Sequence, residues 1–220
     1  MKLVLASGSQ RRRELLTMCG YDYEIIVSNA DETIDENDPE SFVRALSFRK
    51  AKDVFDRLFA AGRRDFAVIG SDTVVAFQKE GGTKPVIIGK PKDAEDAVRI
   101  LSMLSGKTHR VFTGVSVIAD IPDENAAAQC SIREKAEIQT ECSITEVTFE
   151  TLSPDEITDY VNSGDPLDKA GSYGIQGPFG MFVREIRGNY FTVIGMPIPV
   201  LYKMLKKIGI LPHGFYERIE

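Results

Sequence analysis

The chain has 220 residues, enough for one large domain, or one domain with two lobes, around a real core. A hydrophobic share of 43% and a charged share of 27% are ordinary for a soluble globular protein, and a net charge of −6 argues against general binding to nucleic acid or a membrane surface. Cys19, Cys130 and Cys142 lack CxxC spacing and His109 and His213 are the only histidines, so neither a disulfide frame nor a zinc site is suggested.

Residues 3–6 form a short apolar run of strand type, far too short for a signal peptide, and no run in the chain approaches membrane-spanning length. A reducing cytoplasm is the expected compartment. Ser7-Gly8-Ser9 then leads into a helix whose apolar positions are Leu15, Leu16 and Cys19, with Ser9 in the N-cap position. Arg11, Arg12 and Arg13 fall in its first turn. That is the unfavourable sign for the positive end of a helix macrodipole, at roughly 0.3–1 kcal/mol per charge. Two readings stand side by side: an anion such as phosphate completes the site, or the arginines bend away into water.

Residues 23–27 read as a strand entering the acidic loop Asp31-Glu32-Thr33-Ile34-Asp35-Glu36, which composition alone assigns to solvent. Asp38-Pro39 opens a helix to about residue 61, with Val43, Leu46, Ser47, Ala51, Val54, Leu58 and Ala61 on one face. Lys50 falls near the middle of that face. Spacing alone favours a stem that snorkels to water, and the alternative is an ammonium turned inward to an anion.

Residues 66–77 are the most informative strand, because Asp72 lies between two apolar runs. Aspartate is depleted in strands, and a buried carboxylate needs a partner, a metal or a raised pKa. A Gly81-Gly82 turn and a return strand at 86–88 follow, then Gly89-Lys90-Pro91 on a strand-to-helix loop. Asp93 caps a helix through Val98, Leu101 and Leu104 that ends at Gly106. Residues 109–119 form a strand on which His109 reads as structural, and residues 120–135 form a polar excursion.

Ala136, Ile138, Thr140, Cys142 and Ile144 alternate as a half-buried strand, and the shift of parity to Val147 and Phe149 predicts a bulge. Ser153-Pro154-Asp155-Glu156 is a capping box for a helix ending by Gly164. The glycine-dense stretch 165–180 embeds Asp168, Lys169 and Gln176, and its glycines permit close approach to a ligand. Residues 181–186 and 190–194 are expected to form a hairpin about Gly188-Asn189, and 197–208 a closing helix. The alternation of strands and helices with hairpins predicts an α/β fold with a mixed, twisted sheet and flanking helices.

Arg11, Arg12, Lys50, Lys90 and Lys169 are thus cations in loops or on an inward helix face, and Glu32 and Asp72 are carboxylates able to share a divalent metal. A triphosphate with its metal calls for this mixture, and no Walker A pattern is present. LASGSQRR, Asp31-Glu32, RKA around Lys50, GSDTVV, GKP, LSGKTHRVFTGV, DKAGSYGIQG and VIGMP follow one another in order. With them the sequence resembles the Maf family of nucleoside triphosphate pyrophosphatases over essentially its whole length.

The resemblance implies a single domain over residues 1–220, folded like inosine-triphosphate pyrophosphatases, with two lobes around a central cleft. It implies hydrolysis of a nucleoside triphosphate to the monophosphate and pyrophosphate, dependent on Mg²⁺ or Mn²⁺, and it makes a homodimer plausible. Asp72 would be the general base or metal-bound activator of water, and Glu32 would help hold the metal. Ser7, Ser9, Arg12, Lys50, Lys90 and Lys169 would hold the phosphates, with Asp168 beside them in the substrate site.

At the three places where the family divides by substrate, Arg11, Thr73 and Gln176 are similar to the branch acting on dTTP and UTP. A glutamine pairs with both donor and acceptor on a pyrimidine edge. A pyrophosphatase for 7-methyl-GTP or another purine nucleotide, and a nucleotide-sensing regulator of septum formation, are the alternatives. Gln10 replaces the family's usual proline, and the hairpin around Gly81 and the 120–135 excursion are longer than usual.

Overall fold

Strand β3 (Phe66–Phe77) carries apolar residues on both of its faces, and in the computed structural model it is buried almost throughout. The structure describes residues 1–78, 81, 82, 84–121 and 136–214. On one edge β3 pairs antiparallel with β5 (Thr108–Asp120) from Ala67 to Ala76. Its other edge is shared. Parallel strand β1 (Lys2–Leu5) covers residues 66–69, and antiparallel strand β4 (Val86–Ile88) covers Val75–Phe77. Between them, residues 70–74 meet only β5 among the described strands. The sheet splits there, and Asp72 and Thr73 sit at the split.

β2 (Glu24–Ile25), β6 (Ala136–Phe149) and β7 (Val183–Arg187) complete a seven-stranded mixed sheet in the order β2-β1-β3-β5-β6-β7, with β4 beside β3. Helix α2 (Pro39–Ala60) packs on one face, started by Asp38, whose side chain accepts the Ser41 N–H. It lies unusually close. A Cβ at Gly70 of β3 would be 2.2 Å from the Ser47 carbonyl oxygen, and one at Gly114 of β5 would be 2.1 Å from that of Val43. These two glycines bring the helix backbone down onto the strands, so that Lys50 can reach the sheet.

The opposite face holds α1 (Gln10–Met18), α3 (Ala94–Leu104), α4 (Pro154–Asn162), α5 (Tyr190–Ile194) and α6 (Ile198–Lys207) around two apolar clusters. One cluster centres on Leu5, Leu16, Ile69 and Leu201. The other surrounds Phe149, Phe179 and Leu101 and supports the glycine-dense segment. The mixed α/β sheet with flanking helices agrees with the expectation from sequence, as do β4, α2 and the Ser153 capping box.

Four local expectations are corrected. Residues 190–194 are a helix, not the second arm of a hairpin. Asn189 accepts the N–H groups of Phe191 and Thr192, and Gly195 ends the helix at φ 109°, so capping outweighs the β-branched composition. Residues 181 and 182 belong to the 3₁₀ turn Pro178–Phe182, and β7 pairs with β6 instead. No bulge interrupts β6 between Ile144 and Val147, where its register with β5 is continuous; the irregularity falls instead at Thr148 and Phe149, in the pairing with β7. The apparent change of parity arises because α2 covers the even side of β6 around Cys142, while Asn189 and Thr192 cover the odd side at Ser143 and Thr145. β2 shrinks to two residues. Residues 122–135 of the excursion, Cys130 among them, lie outside the described residues. No described helix is long and apolar enough to cross a membrane.

Candidate active site

A cleft of about 1130 Å³ opens at the split in the sheet. Ser7, Ser9, Arg11, Arg12, Glu32, Lys50, Asp72, Thr73, Lys90, Asp168, Lys169 and Gln176 all line it, although they come from segments scattered over more than 160 positions of sequence. Side chains alternate along β3, so Asp72 faces α2 while Thr73 faces the other side. Both reach the cleft because, among the described strands, none covers this edge of β3 between β1 and β4.

On the α2 side, Lys50 does not snorkel. Its ammonium lies 2.8 Å from Asp72 Oδ1 and 2.9 Å from Glu32 Oε1, and its side chain is 11% exposed. The correction has a simple cause: β3 supplies a buried carboxylate opposite the helix face, and an ammonium there is compensated where it sits. The acidic loop is likewise more than solvated surface, since Glu32 reaches this ammonium and Arg49 donates to the carbonyls of Asp31 and Thr33.

Arg12 occupies the other side of β3. Its Nε donates to the Gly195 carbonyl at 2.9 Å, Nη1 to Ser7 Oγ at 3.1 Å and Nη2 to Thr73 Oγ1 at 3.4 Å. Burial pushes its pKa down, opposed by the charge of Asp72, yet a guanidinium stays protonated at any working pH. Of the three arginines in the first turn, Arg12 is therefore tied into the cleft wall, while Arg13 donates to the Gly8 carbonyl. Ser9 holds the N-cap position without a capping side-chain bond, and its N–H donates to Ser7 Oγ at 3.2 Å. Behind Thr73, Thr113 Oγ1 stands 3.0 Å away and donates to the Thr192 carbonyl.

The far wall is made by short 3₁₀ turns. Lys169 Nζ donates to the Asp165 carbonyl, Asp165 Oδ1 and Asp168 Oδ1 at 2.6, 3.0 and 2.7 Å. Burial would raise the Asp168 pKa, but Lys169, Arg11 and Lys90 together hold it below the usual carboxylate value. Arg11 approaches Asp168 at 3.8 Å, spanning the cleft from α1 to the far wall. The Gly171 N–H donates to the Gly89 carbonyl at 3.0 Å and so joins the Lys90 loop to this wall.

Sequence reasoning missed Asp165, Tyr160 and the Gly195 carbonyl. Asp165 lies just before the DKAGSYGIQG motif, but Tyr160 looks like any core tyrosine on a helix, and a carbonyl has no signature. His109 is buried at the base of the aromatic cluster, 3.0 Å from the Tyr173 hydroxyl, and does not line the cleft.

Asp72 and Glu32 form an all-oxygen pair converging on a position now taken by an ammonium, a donor chemistry suited to a hard divalent cation. No group of three or more histidine, cysteine or acidic side chains with metal-binding geometry exists among the described residues. A cation held here would complete its shell with substrate oxygens and water.

A mixed α/β sheet split over a cleft that combines paired carboxylates with five cations defines an anion-handling protein of polyphosphate type. The sequence model of the Maf-like protein family matches residues 2–208, and the chain belongs to that family. Among its relatives, a dTTP/UTP pyrophosphatase of Agathobacter rectalis is 40% identical over 217 residues, covering 95% of this chain and 98% of that protein. A dTTP/UTP pyrophosphatase of Bacillus thuringiensis is 42% identical over 210 residues, covering 95% and 96%. Among solved structures, the Staphylococcus aureus Ham1 protein aligns with 94% of this chain and 99% of its own, at 13% identity and a TM-score of 0.46.

Proposed function

We propose that the protein hydrolyses dTTP and UTP to the monophosphate and pyrophosphate. The observation that carries this reading is the Asp72–Lys50–Glu32 cluster on one wall of the cleft, facing the cations of the other walls. The names of relatives that span nearly the whole chain support it. Asp72 is oriented by Lys50, 2.8 Å away, to take a proton from the attacking water. Arg12, Lys90 and Lys169 neutralise the charge that grows as the α–β bridge breaks, while Ser7 and Ser9 position phosphate oxygens. Thr73, Gln176 and Arg11 read the base, and Asp168 holds Lys169 and Arg11 at the mouth of the cleft.

A divalent cation, Mg²⁺ or Mn²⁺, would be held by Glu32 and Asp72 and would supply further charge neutralisation. Action as a homodimer in the cytoplasm, with no nucleic-acid or membrane partner, completes the proposal. Incubation with dTTP, UTP and 7-methyl-GTP, with and without Mg²⁺, tests it. Pyrophosphate should appear from the first two, only with metal. Orthophosphate release, or turnover of 7-methyl-GTP alone, overturns the reading. Nucleotide binding without turnover would favour a sensor role.

A further inference from the structure

Lys169 lies between two 3₁₀ turns, on extended backbone at φ −119° and ψ 135°, where no helix or strand fixes the direction of a side chain. Its direction is nevertheless set. The ammonium is shared between the main chain and side chain of Asp165 and the side chain of Asp168, and its own side chain is only 14% exposed. Asp168 is 70% exposed and Asp165 is 31% exposed, so Asp168 is the partner that a phosphate can replace and Asp165 is the one that stays.

Asp165 is anchored in turn. Its Oδ2 accepts a short hydrogen bond from Tyr160 Oη, on a tyrosine of α4 that is 6% exposed and packs at 4.7 Å between ring centroids on Phe179. The same hydroxyl accepts the N–H of Gly174 at 3.1 Å. Gly174 crosses directly over the lysine stem, where a Cβ would stand 2.7 Å from Lys169 Cε. Its carbonyl accepts the Gly177 N–H at 3.2 Å and closes the turn that presents Gln176 to the cleft. Burial, reinforced by the Asp165 carboxylate, raises the Tyr160 pKa, so the hydroxyl keeps its proton at any working pH.

We propose that Tyr160 and Asp165 are positioning residues for the reaction. Tyr160 Oη pins Asp165, which aims the Lys169 ammonium, and through the Gly174 N–H it also holds the turn bearing Gln176. One buried hydroxyl thereby couples phosphate neutralisation to the reading of the base. The inference deepens the pyrophosphatase reading and rests on it.

The test compares wild type, Tyr160→Phe, Asp165→Ala, Lys169→Ala and the Asp165→Ala/Lys169→Ala double variant. Melting temperature, kcat and KM for UTP and CTP, and the affinity for inorganic tripolyphosphate are measured for each. Tyr160→Phe should stay folded and bind tripolyphosphate about tenfold more weakly, and its preference between UTP and CTP should narrow, as expected for a misaimed contact. Asp165→Ala should add little to the loss already caused by Lys169→Ala, because the two act as one unit. Unchanged tripolyphosphate affinity and unchanged UTP/CTP preference in a folded Tyr160→Phe protein overturn the proposal. So do losses from Asp165→Ala and Lys169→Ala that multiply. Should Tyr160→Phe fail to fold, the double-variant cycle decides. If wild type turns over neither nucleotide, the proposed activity fails, and tripolyphosphate binding still decides whether Tyr160 aims Lys169.

Discussion

The two walls of the cleft hold their cations by different means. Lys50 rides on a 22-residue helix clamped to the sheet over Gly70 and Gly114, and its target Asp72 is a register position of a buried strand. Lys169 stands on a loop of 3₁₀ turns, aimed by side-chain hydrogen bonds and by a glycine that crosses its stem. The first wall derives its geometry from packing, so damage to it costs stability and activity together. The second derives its geometry from a few polar contacts on an aromatic base, so it can lose function while the fold persists.

The largest expected effect lies on the packed wall. Asp72→Asn keeps the shape but removes the proposed proton acceptor, and turnover should fall about 10²–10⁴-fold while nucleotide affinity changes little. Equal losses in both, measured by steady-state kinetics beside equilibrium binding, would make Asp72 structural.

Gly70→Ala and Gly174→Ala sharpen the contrast between the walls. At Gly70 the new methyl meets helix backbone, 2.2 Å from the Ser47 carbonyl oxygen, and denaturant unfolding should show a loss of at least about 1–3 kcal/mol with activity falling in parallel. At Gly174 the nearest atom is a movable lysine carbon, so stability should drop by less than about 1 kcal/mol while tripolyphosphate affinity falls. Equal destabilisation by the two substitutions would erase the difference between the two walls.

His109 gives a pH test of the aromatic base beneath the loop wall. Burial holds its pKa down at about 3, against 6.5 for an ordinary histidine. Below pH 6.5 the unfolded chain binds a proton that the folded chain refuses. Its share of stability is therefore complete above that pH and is lost as pH falls toward 3, at up to about 1.4 kcal/mol per pH unit. Urea midpoints between pH 7.5 and 5 should fall in wild type and fall less steeply in His109→Gln. The smallest effect belongs to the Arg11–Asp168 pair across the cleft: at 3.8 Å, with Asp168 70% exposed, Asp168→Ala should change stability by no more than about 1 kcal/mol.

Some of the residues that line the cleft were legible in the sequence because they broke a local rule, while Ser7, Ser9, Glu32, Thr73 and Gln176 were assigned their roles there through the family resemblance. Asp72 interrupts a buried strand, Lys50 interrupts an apolar helix face, and Arg11 and Arg12 oppose a helix dipole. The direction of Lys50 was not legible, since periodicity places a side chain on a face and says nothing of the carboxylate that awaits it. Residues 190–194 were misread for a related reason: β-branched composition suggested a strand, and the cap formed by Asn189 decided otherwise.

By itself the sequence determined the mixed α/β class, the order of the long elements and the set of polar residues too costly to bury without purpose. Those follow from local propensity, periodicity and desolvation, which act within a few neighbouring residues. Only the tertiary structure decided that β1 and β4 share one edge of β3 and leave Asp72 open between them, and that Asp165 and Tyr160 stand behind Lys169. Strand order and side-chain relays join positions far apart in the chain, and no local pattern encodes a distance.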